Sequence, residues 1–207
     1  MKKAKNEVQV FPFALEEHAL PTLDEVAQHA LDKGRKLYLE DEIDVSTLAI
    51  GRRILLWNIE DEGKEAKDRA PIYLYIHCYG GDLDYMWGLI DIIEASQTPV
   101  YTIAVGKCAS AAALIFIAGH RRFMLPRAHV VIHEGSASMS GDAVKVLDAS
   151  DSYRKELKAM RKYVETHTRI PPKELNKKRN NDWEIDASYC LENGVCDVIA
   201  SSLKEII

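Results

Sequence analysis

Cysteine is scarce: Cys78, Cys108, Cys190 and Cys196 are scattered through 207 residues with no Cys-x-x-Cys pair. That excludes a disulfide framework and gives no zinc spacing, and the four read as reduced, buried thiols. His-Glu-x-x-His is missing, and so is a Gly-x-x-x-x-Gly-Lys-[Ser/Thr] loop, so neither a metal centre nor a nucleotide loop is expected and no cofactor is called for. Long apolar runs are missing too. The longest, Ala109 to Gly119, is too short to span a bilayer, and the basic start Met1 to Glu7 leads into no apolar signal core. The expectation is a cytoplasmic protein without a membrane segment. Positive charge is not in excess: 27 Lys and Arg are dispersed among 32 Asp and Glu, a net charge of −5, which argues against nucleic acid as a partner. Internal repeats and low-complexity stretches are likewise absent.

What is present is enough apolar residue, 47%, to build one globular core. Thr22-Leu23-Asp24-Glu25 has the spacing of a capping box and predicts a helix to about Lys33, ended by Gly34. Lys36 to Leu39 reads as a strand, and Asp44 as the cap of a helix to about Ile59. Asp61 to Arg69 reads as a charged surface loop. Strands are predicted at Ile72 to Ile76, Val100 to Val105, around Phe123 to Leu125, at His129 to Ile132 and at Val195 to Ile199. Helices follow Gly81 and Ser110, and a long charged one covers Asp142 to about Thr166. After Pro171-Pro172 come a short helix, a polar turn containing Asn180, Asn181 and Asp182, and a helix ended by Gly194. Alternating strands and helices point to an α/β fold with a parallel sheet and crossover helices, its functional loops at the carboxyl ends of the strands.

Three constellations lie at such ends. Ser110, in Gly106-Lys107-Cys108-Ala109-Ser110-Ala111, stands where a strand turns into a helix of small residues, with unpaired N–H groups of the first turn nearby. This is the setting a nucleophilic serine needs. Gly80-Gly81 ends the strand before it, so that N–H groups of Gly81 and Ala111 can converge on one oxygen as an oxyanion hole. His133 ends the run His129-Val130-Val131-Ile132 and is suited to take a serine proton. The other six histidines, His18, His29, His77, His120, His129 and His167, read as surface or core residues. A third residue is needed to hold the histidine tautomer, and Asp182, Asp186, Asp148 and Asp197 compete for that role. Lys107 raises a serine–lysine arrangement as a weaker variant.

Ile72-Tyr73-Leu74-Tyr75-Ile76-His77-Cys78-Tyr79-Gly80-Gly81, the flanks of Ser110, Ala118-Gly119, Leu125-Pro126, Val131-Ile132-His133 and Glu192-Asn193-Gly194-Val195-Cys196-Asp197 together resemble the proteolytic subunit of Clp protease, in order and spacing, over about residues 35 to 199. The resemblance implies a crotonase-like fold, Ser110 as nucleophile, His133 as general base, Asp182 as orienting acid, and Gly81 and Ala111 as oxyanion donors. It implies residues 35–207 as the peptidase domain, with a projecting handle at about 134–170, and residues 1–34 as a partner-facing region that matches the family poorly. It also implies a homo-oligomer, a heptameric ring or two stacked rings, acting on peptides or unfolded chains, with ATP used only by a separate AAA+ unfoldase. Two departures stand out: Glu134-Gly135 replaces the family's Gln-Pro, and Asn180-Asn181 replaces an acidic–basic pair. Ala109-Ser110-Ala111-Ala112 and Gly81-Asp82 are also similar to the head-maturation proteases of phages. A crotonase-type acyl-CoA enzyme and a catalytically silent ring subunit are the rivals from other classes.

Overall fold

The β-branched and aromatic run beginning at Ile72 lies at the heart of a seven-stranded sheet. The computed structural model describes residues 22–135, 138–178 and 181–207. Its strands are β1 (Lys36–Leu39), β2 (Ile72–Cys78), β3 (Val100–Ala109), β4 (Arg121–Met124), β5 (His129–Ile132), β6 (Trp183–Asp186) and β7 (Val198–Ile199). Period-two alternation gives β2 two buried faces. Ile72, Leu74 and Ile76 belong to the main core, whereas Tyr75 packs on the opposite face with Ile103, Phe123, Ala200 and Ile206.

The helices are α1 (Leu23–Lys33), α2 (Leu48–Glu60), α3 (Leu83–Ala95), α4 (Ala111–Ile117), α5 (Ala143–His167), α6 (Pro172–Lys178) and α7 (Ala187–Glu192). The capping box at Thr22 and Glu25 forms as predicted, and Gly34 closes α1. Asp44 caps a 3₁₀ turn, Val45–Thr47, that leads into α2. In α5, 25 residues long, only Met160 and Val164 are fully buried, while Val144 and Leu147 are exposed, as expected of a helix that packs through one narrow face. No helix among the described residues is long and apolar enough to cross a membrane.

The length of β3 organises the site. Its first half pairs with β4, from Tyr101 opposite Arg121 to Ala104 opposite Met124, and its last residues pair with β5, from Lys107 opposite His129 to Ala109 opposite Val131. The predicted strand ended at Val105; pairing with β5 carries it to Ala109, so the turn into α4 starts at Ser110 itself.

Three expectations are corrected. The sheet is not wholly parallel, because β6 runs antiparallel to β5, so Asp182 precedes a strand rather than lying between two helices. The last strand is only Val198–Ile199. Asp61, expected on a surface loop, has a wholly buried side chain: Arg35 donates to it at 2.5 and 2.9 Å, Lys64 at 2.7 Å and the Thr98 hydroxyl at 3.0 Å. Those donors, the Arg35 guanidinium foremost, hold its carboxyl far below the usual carboxylate range. Of the partner-facing region expected at 1–34, residues 1–21 lie outside the described residues, as does Asn180.

Candidate active site

The register of β5 and β6 explains how two residues far apart in sequence meet. His129 stands opposite Asp186, Val130 opposite Ile185, Val131 opposite Glu184 and Ile132 opposite Trp183. One further step brings His133 opposite Asp182, and His133 Nδ1–H donates to Asp182 Oδ1 at 2.9 Å. Because a carboxylate offers only acceptors, this bond keeps the proton on Nδ1 and leaves Nε2 as the basic nitrogen.

Ser110 is held in a strained conformation, φ +58° and ψ −126°. Among the described residues only Arg35 shares a positive φ without being glycine. Such a backbone costs about 1–3 kcal/mol for a residue with a side chain and persists only where its surroundings enforce it. The surroundings here are β5 and α4. Ser110 N–H donates to Val131 O at 2.9 Å, two residues before His133, and Ser110 O accepts from Ala113 N at 3.0 Å. Every residue of α4 is buried, which anchors the far side of the turn. No hydrogen bond among the described residues joins Ser110 Oγ to His133; such bonds are commonly long until substrate binds.

The glycine turn after β2 presses on the same point. Gly80 has φ +109°, and a Cβ on it would lie 2.7 Å from Ser110 Cβ and 3.3 Å from Ala111 N. Gly81 bridges Ile43: Ile43 N–H donates to Gly80 O at 2.9 Å and Asp82 N–H to Ile43 O at 2.8 Å. In a parallel bridge of this kind the central residue's own N–H points away from its partner, which frees that of Gly81. Ala111 opens α4, so its N–H has no preceding turn to receive it.

The competing residues are engaged elsewhere. Asp186 Oδ1 accepts from Tyr189 N at 2.8 Å and caps α7, Asp197 pairs with Arg122 at 2.7 Å, and Asp148 lies within α5. Lys107 Nζ is 2.9 Å from Glu184, whose hydrogen bond raises its pKa and makes it a poorer base. His77 and His120 each accept a backbone N–H through Nδ1, from Lys107 and Val100 respectively. All four cysteines are free and buried. Burial pushes the thiols of Cys108 and Cys190 well above the usual range and that of Cys196 to about 11, so Cys108, two residues from Ser110, is no rival nucleophile.

Sequence reading missed an apolar cavity of about 470 Å³ beside His133. Its walls include Leu114, Ile132, Leu157, Met160, Val164 and Trp183. The overlooked strand β6 supplies Trp183, and only the 3–4 spacing of Leu157, Met160 and Val164 on α5 hinted at a wall there.

A serine forced into a strained strand-to-helix turn, next to a histidine whose tautomer is set by an aspartate, has the makings of a serine hydrolase. The Clp protease family profile matches residues 23–202, and the chain belongs to that family. Its fold is the crotonase-like α/β fold of Clp peptidases, and it is a serine-type endopeptidase. It is similar to ATP-dependent Clp protease proteolytic subunit 2 of Treponema denticola, 34% identical over 142 residues, which cover 66% of this chain and 69% of that one. Subunit 2 of Borreliella burgdorferi is 30% identical over 168 residues, covering 79% and 81%. Subunit 1 of Nocardia farcinica is 30% identical over 185 residues, covering 86% and 89%.

Proposed function

We propose that the chain hydrolyses peptides and unfolded polypeptides with Ser110, His133 and Asp182 as its catalytic triad. The observation that carries this reading is the shared anchorage of the three. Ser110 is tied to Val131, His133 follows two residues later, and Asp182 meets His133 at 2.9 Å across the β5–β6 ladder. Ser110 Oγ attacks the peptide carbonyl carbon while His133 Nε2 takes its proton, and Asp182 stabilises the imidazolium that results. The N–H groups of Gly81 and Ala111 receive the negative charge that develops on the carbonyl oxygen. As the tetrahedral intermediate collapses the C–N bond breaks, and His133 returns the proton to the leaving amine. Water, deprotonated by the same histidine, then releases the acyl group from Ser110.

The cavity beside His133 receives an apolar substrate side chain. Its lining lies on β5, β6 and α5, so the strands that bring His133 and Asp182 together also form the binding wall. By likeness to the proteolytic subunits above, the chain acts as a ring of identical subunits, heptameric, singly or in stacked pairs. The chamber admits short peptides or chains threaded in by a separate ATP-using unfoldase, and the reaction itself needs no cofactor. The test is cleavage of a fluorogenic peptide series by the purified chain. Turnover fastest with an apolar residue before the scissile bond and abolished in Ser110→Ala supports the reading, and turnover unchanged in that variant contradicts it.

A further inference from the structure

Beyond His133 the chain makes two contacts with α5. Tyr153 Oη donates to Glu134 O at 3.0 Å, and Gly135, at φ +71°, leaves space for that hydroxyl, since a Cβ there would lie 3.0 Å from Tyr153 Oη. Arg161 makes the second contact: Nη2 forms an ion pair with Glu134 Oε1 while Nη1 donates to Asn176 Oδ1. Residues 153, 157 and 161 are four apart and share one helix face, with Leu157 in the cavity wall between the two polar contacts.

Glu134 and Arg161 side chains are each only 25% exposed, so the pair is partly shielded from solvent screening. Glu134 adjoins His133, and Asn176 lies on α6, the helix that leads towards Asp182. One guanidinium thus grips both segments that converge on the histidine–aspartate pair. A planar fork with donors on two edges can do this, whereas an ammonium offers a single point charge. Asp182 needs such help because its side chain is 81% exposed, so burial does little to hold it against His133.

We propose that Arg161 is a positioning residue: by holding Glu134 and Asn176 together it keeps His133 and Asp182 in register from within a single subunit. This rests on the reading of Ser110, His133 and Asp182 as the triad. Arg161→Met is expected to lower kcat about ten-fold with KM within two-fold, a share of the roughly hundred-fold loss that follows a 1 Å misplacement of reacting groups. Arg161→Lys should recover about a third of wild-type kcat. Glu134→Ala should lower kcat about three-fold, and Glu134→Ala/Arg161→Met should be no slower than Arg161→Met alone, because both changes remove one contact. Glu134→Ala keeps the idea testable should Arg161→Met fail to fold.

Assays on the assembled protein beside His133→Ala, with oligomeric state followed by gel filtration, separate the outcomes. An inactive His133→Ala with wild-type kcat in Arg161→Met and Glu134→Ala overturns the clamp alone. So do losses that multiply in the double variant, a change in KM only, or a kcat loss that tracks dissociation of the oligomer. Wild-type turnover in His133→Ala overturns the triad reading and the clamp with it.

Discussion

Gly80→Ala should damage catalysis far more than stability. The added Cβ would lie 2.7 Å from Ser110 Cβ and 3.0 Å from Ala109 O. Carbons pack at about 3.5–4.0 Å, so the two turns must part by about 1 Å. A shift of that size at a nucleophile costs about a hundred-fold in rate. The φ of +109° adds strain of about 1–3 kcal/mol, or roughly 2–12 °C in Tm at 2–4 °C per kcal/mol for a domain of this size. Gly63→Ala is the matched control: φ is +82° there, with nothing within 4 Å of the new Cβ. It should lose stability in the same range and keep its activity. Gly88→Ala, helical and also without a neighbour within 4 Å, should gain about 0.5–1 kcal/mol. Peptidase kcat/KM beside Tm for the three variants distinguishes catalytic displacement from strain. Equal activity in Gly80→Ala and Gly63→Ala would refute the claim that the glycine turn sets the position of Ser110.

Asp182→Asn should lower kcat more than ten-fold, since an amide cannot stabilise the imidazolium, whereas Asp186→Asn should lower it less because asparagine caps α7 about as well as aspartate; the reverse ranking in steady-state kinetics would move the catalytic acid four residues along. Arg35→Met should cost about 3 kcal/mol in denaturant unfolding, because Asp61 is left buried with fewer partners, and a loss under 1 kcal/mol would mean the cluster behaves as a surface pair. The Asp61 carboxyl is held below its ordinary value, so its contribution is complete above the unfolded pKa of about 3.9 and lost as pH falls below that; Arg35→Met should flatten this acid limb. Sedimentation over a salt series should show a ring whose pairing responds weakly to salt, Asn180-Asn181 having replaced charges; a monomer or dimer at every salt would contradict the ring, and steep dissociation with salt the role given to the asparagines.

Residues whose neighbours are local in sequence were the legible ones. Thr22 and Glu25 cap their own helix, β2 and β5 announce themselves through β-branched runs, and Ser110 and His133 could be placed because each ends such a run. Trp183-Glu184-Ile185-Asp186 gave no strand signal: it is four residues long, abuts the cap of α7 and exists as a strand only through pairing with β5, some fifty residues away. With β6 hidden, Asp182 had no bottom-up advantage over Asp186, Asp148 or Asp197, and only the family resemblance singled it out. Asp61 was misread for a similar reason. A charged stretch reads as solvated, and its chief partner, Arg35, is 26 residues earlier in the chain.

The central claim is that Ser110 is the nucleophile, and covalent labelling tests it most directly. A fluorophosphonate reacted with the purified chain, followed by digestion and mass spectrometry, should place one adduct on the peptide containing Ser110, with none in Ser110→Ala and far slower labelling in His133→Ala. An adduct on any other residue, or undiminished labelling of Ser110→Ala, would contradict the account.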